Sequence, residues 1–131
     1  MRVLGIDYGE KRVGVALGDT DSKIASPWGT IPNEGSLALL AKLHEIVARD
    51  LVEAIVVGIP KPLRNRNREN AQVREVRKFL EGLKGLGVAV HEEDETMTSK
   101  LAASQALEMG ERDKRDDLAA ANILQSWLDR Q

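Results

Sequence analysis

One stretch near the amino terminus decides the fold of this chain: RVLGIDYGEKRVGVALG, residues 2–18. Val3 to Ile6 is a short apolar run that ends in Asp-Tyr-Gly, and a polar turn follows it. From residue 13 to residue 17, valine and leucine alternate with glycine and alanine, so one face of the segment is large and apolar. Two such runs on either side of a turn predict a β-hairpin.

The following segments continue the sheet and add helices to it. Ile24–Ile31 is a weaker strand, and the proline and glycine within it predict an edge position. After Ser36, a predicted N-cap, apolar residues recur at steps of three and four, the pattern of a helix with one buried stripe. The unbroken apolar run Ala54–Gly58 predicts a parallel strand covered on both faces. The remaining predictions are a helix with the stripe Val73, Val76, Leu80 and Leu83 that ends at Gly85–Gly87, a strand over Val88–Val90, and helices over about residues 97–109 and 116–129.

This order of elements predicts an α/β fold. The two strand–helix–strand crossovers require parallel strands, whereas the opening hairpins require antiparallel ones. We therefore expect a mixed five-stranded sheet, antiparallel in strands 1–3 and parallel in strands 4 and 5, with helices packed on it. The length of 131 residues suits one domain, 1–131.

Composition excludes several classes of protein. The chain is 42% hydrophobic and 31% charged, which argues against disorder. It has no cysteine, which excludes disulfide scaffolds and cysteine zinc sites. No apolar run is long enough to cross a bilayer and the first residues lack a signal-peptide core, so we expect a cytoplasmic protein without a membrane partner. The net charge is -2, so a nucleic-acid partner would have to be bound by a local basic patch.

Acidic side chains occur where three elements should meet. Asp7 ends the first strand, and Asp94 and Glu95 follow the fifth. Because ligands gather at the carboxyl ends of parallel strands, these acids should share one edge of the sheet. Asp116 and Asp117 open the last helix, and helix geometry alone does not choose between them. The competing structural explanations are ordinary turn chemistry for Asp7, a solvated acidic loop over residues 91–95, and helix-dipole stabilisation for Asp116 or Asp117.

Three converging carboxylates would have to take up protons or bind a cation. Two negative charges about 4 Å apart repel by roughly 4 kcal/mol at an effective dielectric constant of 20. Oxygen ligands favour Mg²⁺ or Mn²⁺ over zinc or copper. A pair of such ions held by carboxylates suits phosphodiester hydrolysis.

Four ordered blocks, spread over essentially the whole chain, resemble the YqgF family of pre-16S rRNA nucleases and Holliday junction resolvases. These blocks are GIDYG with RVGVA (residues 5–9 and 12–16), VGIP (57–60), DETMT (94–98) and DDLAAANILQS (116–126). The resemblance implies a ribonuclease H-like fold, metal-dependent hydrolysis of a phosphodiester, and an acidic metal-binding triad of Asp7, Glu95 and Asp116. It selects Asp116 over Asp117 because the family pattern places its acid three residues before an Ala-Ala pair.

The sequence departs from the family pattern at two points. Thr96 stands where the family usually has arginine, so a cationic contact to substrate is in doubt there. The loop after Pro60 usually carries glycines, but here residues 61–70 read KPLRNRNREN, which puts the usual loop conformation in doubt.

The segment from Lys61 to Lys78 is strongly basic. Its seven basic and two acidic residues give a local charge of +5, which leaves -7 for the rest of the chain. Its first part offers four candidate phosphate-binding side chains: Lys61, Arg64, Arg66 and Arg68. A solvated loop that leads into a charged helix is the structural alternative. No aromatic residues are interleaved with the basic ones, so we expect recognition through the backbone and shape of the nucleic acid.

The remaining motifs and side chains give only weak indications of a functional site. Gly9–Gly14 lacks the lysine and hydroxyl residue of a phosphate-binding loop. His44 is interpreted as structural or exposed, His91 as a minor candidate for proton transfer, and Tyr8 and the two tryptophans, Trp28 and Trp127, as packing residues.

Four functions fit the sequence to different degrees. The leading hypothesis is a nuclease that acts on structured nucleic acid, with pre-16S rRNA as the family's substrate. A Holliday junction resolvase would use the same triad on branched DNA and would require a homodimer. A non-catalytic nucleic-acid-binding factor is a third reading. A sugar-kinase-like or actin-like ATPase is disfavoured because such proteins need two lobes.

Overall fold

The computed structural model describes residues 1–59, 71–94 and 116–131. Five strands and three helices lie in these ranges: β1 Arg2–Asp7, β2 Arg12–Asp19, β3 Ile24–Pro32, α1 Ser36–Arg49, β4 Val52–Ile59, α2 Ala71–Lys84, β5 Ala89–Asp94 and α3 Asp116–Leu128. The helix predicted over residues 97–109 lies outside the described residues. None of the described helices combines the length and the apolar character needed to cross a bilayer.

The strands form one mixed sheet in the order β3-β2-β1-β4-β5. β1 and β3 each pair with β2 in antiparallel fashion, and β4 pairs in parallel with both β1 and β5. The predicted fold class and the edge position of β3 are therefore confirmed. Within β3, Pro27 pairs with Ala16 and Gly29 with Val15, so Trp28 is the extra residue of a bulge that bends this edge strand.

The two faces of the sheet are covered differently. One face packs against α1 and α2 through large aliphatic side chains and Phe79, which is fully buried. The predicted stripe of α2 omits Phe79, although this residue is the largest fully buried side chain of the described protein. The other face packs against α3 and carries small residues such as Ala16 and Ala54.

Helix α3 approaches its face of the sheet closely because glycines line the contact. A Cβ built on Gly5 would lie 2.7 Å from Leu124 Cβ, and one built on Gly18 would lie 3.0 Å from side-chain atoms of Leu124 and Leu128. Gly18 pairs with a residue in the amino-terminal half of β1. Successive turns of α3 therefore lie progressively closer to the amino-terminal end of β1. The helix therefore starts over the carboxyl end of β1 and runs back along the sheet.

Two predicted boundaries are wrong. The fifth strand does not end at Val90, because β5 stays in parallel register with β4 up to the pair Ile59–Asp94. The acidic residues that follow Val90 are therefore largely part of the strand. Helix α1 begins at Ser36, but its N-cap is Gly35 at φ 112°, with no side-chain cap hydrogen bond. Glycine adopts this backbone conformation without a Cβ penalty.

Candidate active site

The carboxyl ends of three parallel strands meet at one edge of the sheet. β1 ends there at Asp7, β4 at Ile59 and β5 at Asp94. The start of α3 lies above the same edge. The backbone therefore brings the start of α3 to the edge where β1 and β5 end, and the convergence of the acidic side chains stays a prediction.

Asp7 is half-buried and faces α3. Ile6 packs into the aliphatic core on the opposite face, and Tyr8 packs against that same core. Because successive side chains of a strand alternate between faces, Asp7 projects on the α3 side. Its backbone partner in β2 is Gly14. Asp7 thus presents a carboxylate at the edge where the strands end.

Asp7, Gly58 and Glu93 belong to one row across the sheet. Val57 pairs with Ile6, which sets Gly58 beside Asp7, and Gly58 pairs with Glu93. His91 contacts Trp127 of α3, so Glu93, two residues further along β5, projects on the α3 side as well. Glycine at position 58 leaves space between the two carboxylates.

Glu93 is the most deeply buried carboxylate among the described residues, at 7% exposed. Its Oε2 accepts a hydrogen bond from Nη2 of Arg130, and the two residues form an ion pair. The acidic run of residues 91–95 predicted a solvated loop for Glu93, and no sequence pattern pointed to Arg130. The sequence did contain a pattern that could have placed Glu93 in the strand. Over residues 88–93, one set of alternate side chains ends in Glu92 and the other in Glu93, so the period of two continues beyond Val90.

The turn after Asp7 is held by glycine and asparagine. A Cβ built on Gly9 would lie 2.4 Å from the backbone oxygen of Arg12, so only glycine fits at this position. The side-chain amide of Asn33 donates to the Gly9 carbonyl oxygen at 2.8 Å, and its backbone N–H donates to Lys11 O at 2.9 Å. The backbone around Asp7 is thus fixed by the end of β3.

Tyr8 connects this turn to α2. Its ring lies 4.8 Å from the ring of Phe79, and its hydroxyl donates to Glu75 Oε2 at 3.4 Å. Burial raises the pKa of the Tyr8 hydroxyl, the hydrogen bond with Asn33 lowers it, and the negative charge of Glu75 raises it again. Tyr8 is therefore a neutral donor at physiological pH, and its predicted packing role is confirmed.

The first turn of α3 carries two candidate acids. Asp116 is the first residue of the helix, but its side chain lies outside the described set. Asp117 is 9% exposed, and its Oδ1 accepts a hydrogen bond from the backbone N–H of Leu118 at 3.0 Å. The choice between the two acids therefore still depends on the family pattern.

The other predicted site residues lie outside the described residues. They are Glu95 and Thr96 near the acids, and Lys61, Arg64, Arg66 and Arg68 in the basic segment. Within the described ranges, no three histidine, cysteine, aspartate or glutamate side chains are placed to hold a metal ion together. Asp7 offers oxygen atoms suited to Mg²⁺ or Mn²⁺, and the remaining predicted ligands are also carboxylates.

The two histidines and two tryptophans of the chain have the surroundings of surface or packing residues. His44 is exposed on α1. His91 is exposed and packs its ring 5.1 Å from that of Trp127, which is buried. Trp28 is 37% exposed, and its ring lies 6.0 Å from the Arg49 guanidinium carbon. The packing interpretation is confirmed for Trp127, whereas Trp28 lies at the surface of the edge strand.

Curated relatives match the chain over nearly its whole length. A protein of Moorella thermoacetica named "Putative pre-16S rRNA nuclease" is 40% identical over 137 residues, which cover 99% of this chain and 96% of that protein. A protein of the same name from Chloroflexus aggregans is 34% identical over 133 residues, which cover 97% and 92% of the two chains. These names agree with the function implied by the sequence blocks.

Solved structures and the family match identify the fold and the family. RuvC of T. thermophilus in complex with a Holliday junction substrate aligns with a TM-score of 0.65, covering 99% of this chain and 94% of that chain at 16% identity. At this low sequence identity, the structural alignment shows a shared fold and nothing more. The shared fold confirms the predicted ribonuclease H-like class. Residues 1–130 match the family described as RuvX, Holliday junction resolvase. The chain belongs to the RuvX family of Holliday junction resolvases.

Proposed function

We propose that this protein is a divalent-metal-dependent endonuclease that cleaves structured nucleic acid, with pre-16S rRNA as its substrate. The observation that carries the proposal is Asp7, a half-buried carboxylate at the carboxyl edge of a RuvC-like sheet. The names of the curated relatives supply the substrate. Such a role places the protein in the cytoplasm, where ribosomes are assembled.

Three carboxylates would hold the metal: Asp7, Glu95 and Asp116. The backbone places Asp7, the end of β5 at Asp94 and the start of α3 at Asp116 at one edge, which supports this set. All-oxygen ligands suit Mg²⁺ or Mn²⁺. Two such ions, when bound, would supply an activated water and stabilise the departing oxygen.

The residues around Asp7 keep its carboxylate in place. Gly9 permits the tight approach to Arg12, and Asn33 holds the turn through Gly9 O. Tyr8 packs on the opposite face against Phe79, so rotation of the strand end is opposed from both sides. A carboxylate held this way is organised before the substrate binds.

Nucleic acid would be bound by the basic segment, which follows the carboxyl end of β4 in the chain. The first part of the segment, residues 61–70, lies in the chain between the end of β4 and the start of α2, and the second part lies in α2 itself. Lys61, Arg64, Arg66 and Arg68 would contact phosphates, and the shape of the substrate would then determine where it is cut.

The test is a metal titration of cleavage with matched variants of the two adjacent acids. Purified protein, Asp116→Asn and Asp117→Asn are incubated with a pre-16S rRNA fragment over a range of Mg²⁺ and Mn²⁺ concentrations. We expect cleavage to require the metal, Asp116→Asn to abolish it, and Asp117→Asn to retain it. Cleavage without metal, or by Asp116→Asn at the parent rate, would overturn the mechanism.

A Holliday junction resolvase is the second candidate, favoured by the family match. Such an enzyme needs two active sites for paired cuts, hence a homodimer. The discriminating assay offers the same preparation a four-way DNA junction and the RNA fragment. Symmetrical paired cuts in the junction, made by a species of dimer mass, would replace the RNA substrate in our proposal.

A non-catalytic processing factor is the remaining alternative. In that case the protein would bind the RNA fragment, and Asp7→Asn would leave any residual cleavage unchanged in carefully purified preparations.

A further inference from the structure

The ion pair between Glu93 and Arg130 lies at the candidate active site but belongs to no predicted part of it. Glu93 stands in the same cross-strand row as Asp7, on the same face, two strands away. Neighbouring strands are about 4.8 Å apart, so the two Cα atoms are separated by about 10 Å.

Arg130 has a guanidinium group that is anchored and yet accessible. Nη2 donates to the buried Glu93 carboxylate, and Nη1 lies 3.5 Å from Ser126 Oγ. The Arg130 side chain nevertheless remains 56% exposed. A guanidinium carries five N–H donors, so the exposed side retains donors for another anion. An arginine fixed in this way loses little freedom when it binds a phosphate.

We propose that Arg130 is a substrate-binding residue that contacts a backbone phosphate beside the cleavage site, and that Glu93 orients it. This inference rests on the proposed function, because it assumes a nucleic-acid substrate. It adds a cation from the carboxyl-terminal end of the chain, outside the basic segment of residues 61–78. Glu93 serves as the buried anchor of Arg130 and is not a metal ligand.

Arg49 provides a matched control for Arg130. It is the last residue of α1, on the opposite face of the sheet, and its side chain is 60% exposed beside Asp50. Arg49→Gln and Arg130→Gln change the net charge equally. Only the second removes a cation from the Asp7 edge.

The experiment measures binding without cleavage. A labelled hairpin RNA and a four-way DNA junction are titrated with protein in EDTA at several salt concentrations. For Arg130→Gln we expect about tenfold weaker binding and a salt-dependence slope smaller in magnitude by about 0.7–0.9, the loss of one phosphate contact. Arg49→Gln should leave both quantities unchanged. Equal effects of the two variants would show a mere net-charge effect and overturn the inference.

Two further variants separate the phosphate contact from folding. Arg130→Lys keeps the charge without the fork geometry, so we expect the slope to be retained with weaker affinity. The double variant Glu93→Gln, Arg130→Gln keeps the parent net charge and leaves no unpaired buried carboxylate. We expect a parent-like circular dichroism spectrum and the reduced slope. A parent-like slope in the double variant would overturn the inference.

The outcomes also separate this inference from the proposed nuclease. If the parent binds both probes and shows the Arg130 effect but cleaves neither with metal, only the nuclease proposal fails. If it cleaves normally and Arg130→Gln binds like the parent, only the Arg130 inference fails. If the parent binds neither probe at low salt, both fail.

Discussion

The two faces of the sheet differ in the size of their packed side chains and in how closely their helices approach. On the face that packs against α1 and α2, large residues such as Leu43, Ile55 and Phe79 fill a thick core. On the α3 face, glycine and alanine bring one helix close to the strands. Asp7 projects from this second face, and Asp116 opens its helix. Thick packing therefore supplies stability, whereas close packing determines where the start of α3 lies relative to Asp7.

Two glycines, one on each side of the sheet, show the same difference in how closely their neighbours approach. A Cβ on Gly5 would meet Leu124 Cβ at 2.7 Å and the backbone oxygen of Ala120 at 3.0 Å, neither of which can move alone. A Cβ on Gly82, between α2 and α1, would meet Leu40 Cδ1 at 2.4 Å, the end of a flexible side chain. Of these two contacts, only the one on the α3 face is expected to be intolerant of an added methyl group.

The largest expected effect separates two adjacent residues on opposite faces. If Asp7 is a metal ligand, as we propose, Asp7→Asn should reduce kcat by about 10⁴-fold, about 5.4 kcal/mol, because such a ligand supports both water activation and leaving-group stabilisation. Tyr8→Phe removes one hydroxyl on the other face and should keep kcat within about threefold. Steady-state cleavage rates in Mg²⁺ test both. Comparable losses for the two variants would show that the faces do not divide the chemistry from the packing.

The thick face should carry most of the stability. Phe79→Ala deletes a fully buried ring and should lower the free energy of unfolding by about 3–5 kcal/mol. Leu37→Ala, at a side chain 88% exposed on α1, should change it by less than about 0.5 kcal/mol. Urea unfolding followed by circular dichroism measures both values. A small loss for Phe79→Ala would mean that this core collapses around the cavity.

The close face should respond to added volume. Gly5→Ala forces α3 away from β1 and should cost about 1–3 kcal/mol by overpacking. Gly82→Ala should be nearly neutral, since rotation of Leu40 relieves the contact and alanine favours helix by about 1 kcal/mol. The same urea unfolding assay measures both changes in the free energy of unfolding. A Gly5→Ala variant as stable as the parent would show that α3 does not pack closely on β1.

The smallest effect concerns pH. The raised pKa of Tyr8 means that the folded protein holds this proton more tightly than the unfolded chain does. Its contribution to stability is complete below pH 10, the unfolded value, and is lost as the pH rises through the folded pKa. Tyr8→Phe should therefore flatten the decline of stability above pH 10.

Tyr8 can be titrated directly because it is the single tyrosine of the chain. Phenolate absorbance should give a midpoint above 10.0 in the folded protein and near 10.0 in urea. Identical midpoints would show that burial does not act on this hydroxyl.

Much of the fold could be predicted from local patterns. The alternation over residues 13–17 identified β2, and the proline and glycine within β3 identified the edge strand. The stripes of α1 and α2 followed from steps of three and four residues. These predictions succeeded because backbone periodicity is a local property of each element. At the candidate site, the loop predicted for Glu93 is wrong because this residue lies in β5. The metal-binding roles of Asp7, Glu95 and Asp116 stay predictions.

By itself, the sequence determined the type and order of the elements and the position of Asp7 at the end of a strand, because short-range side-chain periodicity encodes both. Only the tertiary structure decided that Asp7, Gly58 and Glu93 share a row and that Arg130 pairs with Glu93, 37 residues away. Parallel register depends on crossovers packed against the whole sheet, and a buried carboxylate pairs with whichever cation the packed helix brings within reach. Neither relation is present in any local stretch of the chain.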